Sequence, residues 1–213
     1  MKIYNVIILD ESGSMSSVYK ETLQSINEVL SGIRKDEAEH PDQEHNVTIV
    51  TFEGNGIKGI KLRRDRVPVR EVKDFTEEDY RPGGCTPLHD AMGKTLNEMT
   101  GLVQKEDRVM VTVITDGYEN ASEEYDGKAI KAMVTRLREA GWAFAYIGAN
   151  QDAIQEAGRL NISNALNYEP TAEGMMSMSV RWKKAHNRMS KCIAGEMEEA
   201  CLNMLFDDGD NSL

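Results

Sequence analysis

Residues 5–14 read Asn-Val-Ile-Ile-Leu-Asp-Glu-Ser-Gly-Ser, an apolar run that stops abruptly at charged and hydroxyl-bearing residues. Four consecutive large aliphatic residues, 6–9, are typical of a strand buried on both faces, as in a parallel sheet. In open sheets of this kind, ligands bind beyond the carboxyl ends of the strands. The polar residues 10–14 therefore stand where a binding site is expected.

Five further short runs predict the remaining strands of the sheet, each bounded by polar or turn residues. They are residues 47–52, 56–64, 109–114, 142–147 and 162–166. The Gly54-Asn55-Gly56 turn between the first two of these runs predicts a hairpin, so that residues 56–64 form an antiparallel edge strand.

Helical periodicity fills the segments between the strands, with apolar residues spaced three and four apart. The predicted helices are residues 18–33, 87–102, 126–140 and 151–158, and one or two helices over residues 171–206. This alternation predicts an α/β fold with a doubly wound, mostly parallel sheet, one antiparallel edge strand and helices on both faces. We expect residues 1–168 to form one domain, residues 169–206 a helical segment packed on it, and residues 207–213 a polar tail.

Composition excludes several classes of partner. The 213 residues include 36 acidic and 25 basic side chains, which gives a formal charge of −11. Binding to nucleic acid or to anionic lipid needs a basic surface, so neither is expected. No apolar stretch approaches a membrane span or a signal peptide, and three cysteines without paired spacing predict neither a disulfide framework nor a zinc site. These features predict a reduced, cytoplasmic protein.

Three polar clusters are expected to meet at one edge of the sheet. They contribute Asp10, Ser12 and Ser14 after the first strand, Thr86 before the second helix, and Asp116 after residues 109–114. Each cluster also has a local interpretation, since serine and threonine cap helices and an Asp-Gly pair forms turns. Together they offer two carboxylates and three hydroxyls, the hard oxygen ligands that Mg²⁺ prefers.

The phrases ILDESGSM, GGCTPLHDAM and VITDGYEN resemble the metal-ion-dependent adhesion site of the von Willebrand factor A (vWA) family, in its stand-alone bacterial form. The resemblance covers roughly residues 1–168. It implies that Ser12, Ser14 and Thr86 bind the metal directly, and that Asp10 and Asp116 act through metal-bound water or from behind the direct ligands. The implied ion is Mg²⁺, with Mn²⁺ as the alternative.

The resemblance also implies recognition without catalysis. A glutamate or aspartate of a protein partner would complete the coordination of the metal, and the chain would serve as an intracellular adaptor or assembly factor. Some bacterial relatives operate with AAA+ ATPases, which makes such an ATPase a candidate partner by analogy.

Two other functions compete with this hypothesis. A Mg²⁺-dependent phosphohydrolase would use Asp10 as its nucleophile, although the second aspartate that such enzymes place two residues later is Ser12 here. A purely structural module would carry a vestigial site. Beside the motif, Glu11 is expected either to tune the charge of the site or to lie exposed. Cys85 is expected to be a small buried side chain, with a reactive thiol as the alternative.

Overall fold

A computed structural model describes residues 1–149 and 153–206, and a six-stranded sheet forms its centre. The strands are β1 (Lys2–Asp10), β2 (Glu44–Phe52), β3 (Ile60–Pro68), β4 (Arg108–Thr115), β5 (Ala143–Ala149) and β6 (Asn164–Tyr168). In space their order is β3-β2-β1-β4-β5-β6. Every neighbouring pair is parallel except β2 and β3. The predicted fold class, with its antiparallel edge strand, is confirmed.

Within the described residues, five α-helices flank the sheet. They are α1 (Tyr19–Glu39), α2 (Leu88–Thr100), α3 (Gly127–Glu139), α4 (Ala153–Arg159) and α5 (Ala172–Ile193). Helix α1 continues past its apolar stripe, and in this extension the buried Asp36 accepts a hydrogen bond from Asn187 Nδ2 of α5 at 2.8 Å. The predicted start of α4 at residue 151 and the predicted tail, residues 207–213, lie outside the described residues.

Strand β1 is buried on both faces, as its continuous apolar run predicts. Ile3, Ile7 and Leu9 belong to the hydrophobic cluster on the α1 and α5 side. Val6 and Ile8 belong to the cluster on the α2 and α3 side. Strand β1 lies between β2 and β4, so the chain adds strands first on one side of β1 and then on the other. The carboxyl end of β1 is therefore the switch point of the sheet.

The C-terminal segment packs against this sheet. Trp182 of α5 is completely buried, and its indole Nε1 donates a hydrogen bond to Thr112 Oγ1 of β4 at 3.2 Å. After α5 the chain folds back, and the Leu205 N–H donates to Asn164 Oδ1 of β6 at 2.8 Å. The proposed division at residue 168 stays a prediction.

The expectation that the cysteines form no disulfide is wrong. Cys192 at the end of α5 and Cys201 form one, with Cα atoms 6.8 Å apart. The short 3-10 helix Glu199–Asn203 returns the chain to the end of α5, a tertiary feature that cysteine spacing does not reveal. Within the described part of the chain, none of the helices combines the length and apolarity needed to cross a membrane.

We expect Trp182→Ala to lower the free energy of unfolding by about 3–5 kcal/mol, because it leaves a large cavity between α5 and the sheet. Met176→Ala is the matched control on the same helix, since Met176 is exposed. The control should change stability by less than about 0.5 kcal/mol. Urea denaturation measures both, and equal stability of the two variants would contradict the packing role of α5.

Candidate metal centre

The site is built around Asp10, which ends the central strand β1 and is 0% exposed. Its Oδ1 accepts a hydrogen bond from the Ser12 N–H at 2.7 Å, and its Oδ2 accepts one from Thr115 Oγ1 at 2.6 Å. Neither donor is a cation. Burial raises the pKa of Asp10 from 3.8 to about 6, and these hydrogen bonds oppose the rise without cancelling it.

A line of oxygens runs outward from Asp10. Ser12 Oγ and Ser14 Oγ lie 3.1 Å apart, and Ser14 Oγ donates to Asp116 Oδ1 at 2.6 Å. Ser12 is buried while Ser14 is exposed, so the line leads from the sheet to the surface. Partial burial raises the pKa of Asp116, against the lowering effect of the Ser14 hydrogen bond.

Thr86 joins the group through a loop that precedes α2. Its N–H donates to Asn120 Oδ1 at 2.9 Å, and its carbonyl accepts from the Asn120 N–H at 3.2 Å. A methyl group added to Gly117 would lie 3.5 Å from Thr86 Oγ1 and 3.6 Å from Ser14 Oγ, so both hydroxyls border the same small space. The expectation for Cys85 is wrong, because the loop turns Thr86 inward and leaves Cys85 exposed.

The structure thus brings together all five residues that the sequence predicts as metal ligands. Their donor atoms are carboxylate and hydroxyl oxygens, which suit a hard divalent cation. A buried carboxylate hydrogen-bonded only to neutral donors is also a group that a cation would stabilise. In the described ranges, no three His, Cys, Asp or Glu side chains are placed to hold a metal by themselves, so the hydroxyls are essential to the fit. Metal ligation by these five residues stays a prediction.

Glu11 is neither exposed nor free to tune the site. Its carboxylate is 0% exposed and accepts two hydrogen bonds from Arg63 Nη2 of β3, both at 3.0 Å. It also accepts the Arg81 N–H at 2.6 Å and lies 3.6 Å from Lys61 Nζ. Glu11 therefore ties the edge strand to the loop that leads to Thr86.

Three supporting residues were missed from the sequence. Thr115 fixes Asp10, Asn120 fixes the backbone of Thr86, and Tyr80 donates its hydroxyl proton to the Asp10 carbonyl oxygen at 2.8 Å. Thr115 could have been found, because it directly precedes Asp116 at the end of an adjacent parallel strand. Asn120 and Tyr80 lie in irregular segments whose placement has no periodic signal.

Comparison with known proteins identifies the fold family. The model of the von Willebrand factor type A domain matches residues 6–182. The chain belongs to this family. A search of the curated proteins found no match.

Three solved structures illustrate the vWA likeness. The SpRpn10 VWA domain is 14% identical, with a TM-score of 0.60 over 84% of this chain and 93% of that one. The pilus adhesin SpaC from Lactobacillus rhamnosus GG is 12% identical, with a TM-score of 0.65 over 89% of this chain and 30% of that one. Proximal thread matrix protein 1 from the mussel byssus is 14% identical, in a structure whose adhesion-site motif is occupied by zinc.

The mussel protein matches with a TM-score of 0.58 over 86% of this chain and 46% of its own. This vWA chain therefore spans less than two thirds of both the mussel protein and SpaC. At such low identities the likeness establishes a shared fold.

The raised pKa of Asp10 predicts a pH-dependent stability when metal is removed. A folded-state pKa of about 6, above the ordinary 3.8, means that protonated Asp10 favours folding. That contribution is fully present below about pH 3.8 and is lost as the pH rises through about 6. In EDTA, the stability of wild type relative to Asp10→Asn should fall by on the order of 2–3 kcal/mol between about pH 4 and pH 7.5.

Denaturant unfolding of both proteins at each pH measures this difference. The Asn variant is the control, because all other titrating groups are shared and cancel. A difference that stays constant with pH would contradict the burial of an ionisable Asp10.

Proposed function

We propose that this vWA chain is a divalent-metal-dependent protein-binding module. The observation that carries the proposal is the continuous set of oxygens formed by Ser12, Ser14 and Asp116, beside Thr86 and the buried Asp10. In the proposed site Ser12, Ser14 and Thr86 bind the ion directly, while Asp10 and Asp116 hold its water ligands or orient the direct ligands. Mg²⁺ is the proposed ion and Mn²⁺ the alternative.

Charge explains why such a site would capture an acidic side chain. Three of the five proposed ligands are neutral hydroxyls, so a divalent ion there keeps positive charge toward its open position. A glutamate or aspartate of a protein partner would neutralise that charge and complete the coordination shell. The ion thus supplies a local positive charge on a chain with a formal charge of −11.

The geometry favours binding over phosphoryl transfer. Both carboxylate oxygens of Asp10 accept hydrogen bonds, and the side chain is fully buried, which does not suit an attacking nucleophile. The residue two positions later is Ser12, which lacks the carboxyl group of a general acid. We therefore propose a non-enzymatic role.

The biological setting is a further part of the proposal. A role as a cytoplasmic adaptor or assembly factor, and an AAA+ ATPase as partner, rest on the resemblance to bacterial vWA proteins. Cys192 and Cys201 are paired, so the cysteines give no support to a reducing compartment.

Isothermal titration of metal-free protein with Mg²⁺, Mn²⁺ and Zn²⁺ tests the metal site. We expect Ser14→Ala to weaken binding at least about tenfold, because one ligand is lost. Ser16→Ala is the matched control, since Ser16 is exposed on the same 3-10 helix.

Metal that binds only the folded state should also raise the free energy of unfolding of wild type. At a hundredfold excess over Kd the expected increase is about 2.7 kcal/mol.

Two results would contradict the metal hypothesis. The first is wild-type protein that takes up none of the three ions, which would favour the vestigial structural module. The second is equal affinity in wild type and Ser14→Ala, which would place the ion elsewhere.

A carboxylate should displace water from the bound ion. With Mn²⁺ in the site, the enhancement of water-proton relaxation should fall as sodium acetate is added, because acetate takes the position of a fast-exchanging water ligand. Sodium chloride at the same ionic strength is the control for salt effects. If acetate and chloride change the relaxation equally, the proposed recognition of acidic side chains is wrong even where metal binding holds.

A further inference from the structure

The chain that follows α5 folds back over one edge of the sheet. We call residues 199–206 the C-terminal clasp, and it begins with the 3-10 helix Glu199–Asn203. Strand β6 is last in the sheet order, so no described strand pairs with its outer edge. Open strand edges are templates for pairing with other chains, and proteins usually cover or blunt them. The clasp stands at such an edge.

Hydrogen bonds from both helical layers fix the clasp around β6. At the start of the strand, Asn164 Nδ2 donates to the Leu202 carbonyl oxygen at 2.8 Å, in addition to the bond that its Oδ1 accepts from the Leu205 N–H. Arg138 Nη2 of α3 donates to Asn203 Oδ1 at 2.8 Å. On the other face of the sheet, Arg188 Nη1 of α5 donates to the Met204 carbonyl oxygen at 2.7 Å. The clasp therefore connects α3 and α5 past the edge strand.

The end of the clasp completes the hydrophobic core on the α5 side. Leu205 is 2% exposed and Phe206 is 7% exposed. Both belong to the same buried cluster as Leu166 of β6 and Met189 of α5. Detachment of the clasp would therefore uncover apolar surface as well as the start of the β6 edge.

A single covalent bond ties the clasp to α5. Cys201 lies in the clasp, and Cys192 lies in the last turn of α5. Both cysteines are partly exposed, residues 194–198 between them are exposed, and neither cysteine belongs to a hydrophobic cluster. The disulfide is thus at the surface, where a small dithiol can approach it. A cross-link restricts chiefly the detached state of the segment that it closes, so its loss favours detachment.

We propose that the Cys192–Cys201 disulfide is a redox-controlled lock on the C-terminal clasp. A thiolate of a dithiol reductant attacks one sulfur, forms a mixed disulfide and releases the other cysteine as a thiolate. The second thiol of the reductant then displaces the remaining cysteine. Two electrons and two protons pass to the protein, which leaves two thiols on the chain and a cyclic disulfide on the reductant.

Reduction then releases the clasp and uncovers the β6 edge, while the rest of the sheet stays folded. None of the five proposed metal ligands belongs to the clasp. The proposal is therefore independent of the metal-binding function.

Hydrogen exchange on the whole protein, measured by mass spectrometry, tests the lock. The protein is compared after treatment with oxidised glutathione and after treatment with dithiothreitol. Peptides that cover residues 199–206 should exchange at least about tenfold faster after reduction, while peptides of β1 and β4 keep their protection. Equal exchange of the clasp in both states would overturn the proposal. Loss of protection throughout the sheet would also overturn it, since the bond would then hold the whole domain.

Two variants separate the lock from other thiol effects. Cys201→Ser lacks the bond, so its clasp should exchange rapidly without reductant and should not respond to dithiothreitol. Cys85→Ser is the matched control, because it removes the exposed free cysteine and keeps the pair. It should respond as wild type does. Slow exchange of the clasp in Cys201→Ser would contradict the proposal.

Thiol counting checks the bond directly. Iodoacetamide should label one cysteine in the oxidised wild type and none in oxidised Cys85→Ser, because only Cys192 and Cys201 are paired. Labelling of all three cysteines after oxidation would show that the lock does not form.

Discussion

A carboxylate at the end of the central strand constrains the whole carboxyl edge of this vWA sheet. Asp10 is fully buried, and its oxygens are held by the Ser12 N–H and the Thr115 hydroxyl. Burial of a charge without a cation is costly, so the surrounding polar groups must be placed accurately. The first loop, the end of β4 and Tyr80 all converge on this residue, because each supplies a hydrogen bond to it or to its backbone.

The net charge of this chain is negative, whereas the proposed metal centre would be locally positive once a divalent ion is bound. A formal charge of −11 slows the approach of an acidic partner over distances where salt does not screen it. At the proposed metal centre, a divalent ion would reverse that sign over a few ångströms. The buried Glu11 adds little to the negative field there, since Arg63 and Lys61 of β3 neutralise it.

Local sequence patterns were enough to predict the strands, the helices, the antiparallel edge and the five candidate ligands of the metal centre. Burial on two faces and helical periodicity show in neighbouring residues, and ligands of open sheets bind beyond the carboxyl ends of the strands. Three contacts are visible only in three dimensions: Glu11 pairs with Arg63, Asn120 holds Thr86, and Cys201 meets Cys192. These contacts are formed by the tertiary fold, and local sequence patterns carry no record of them.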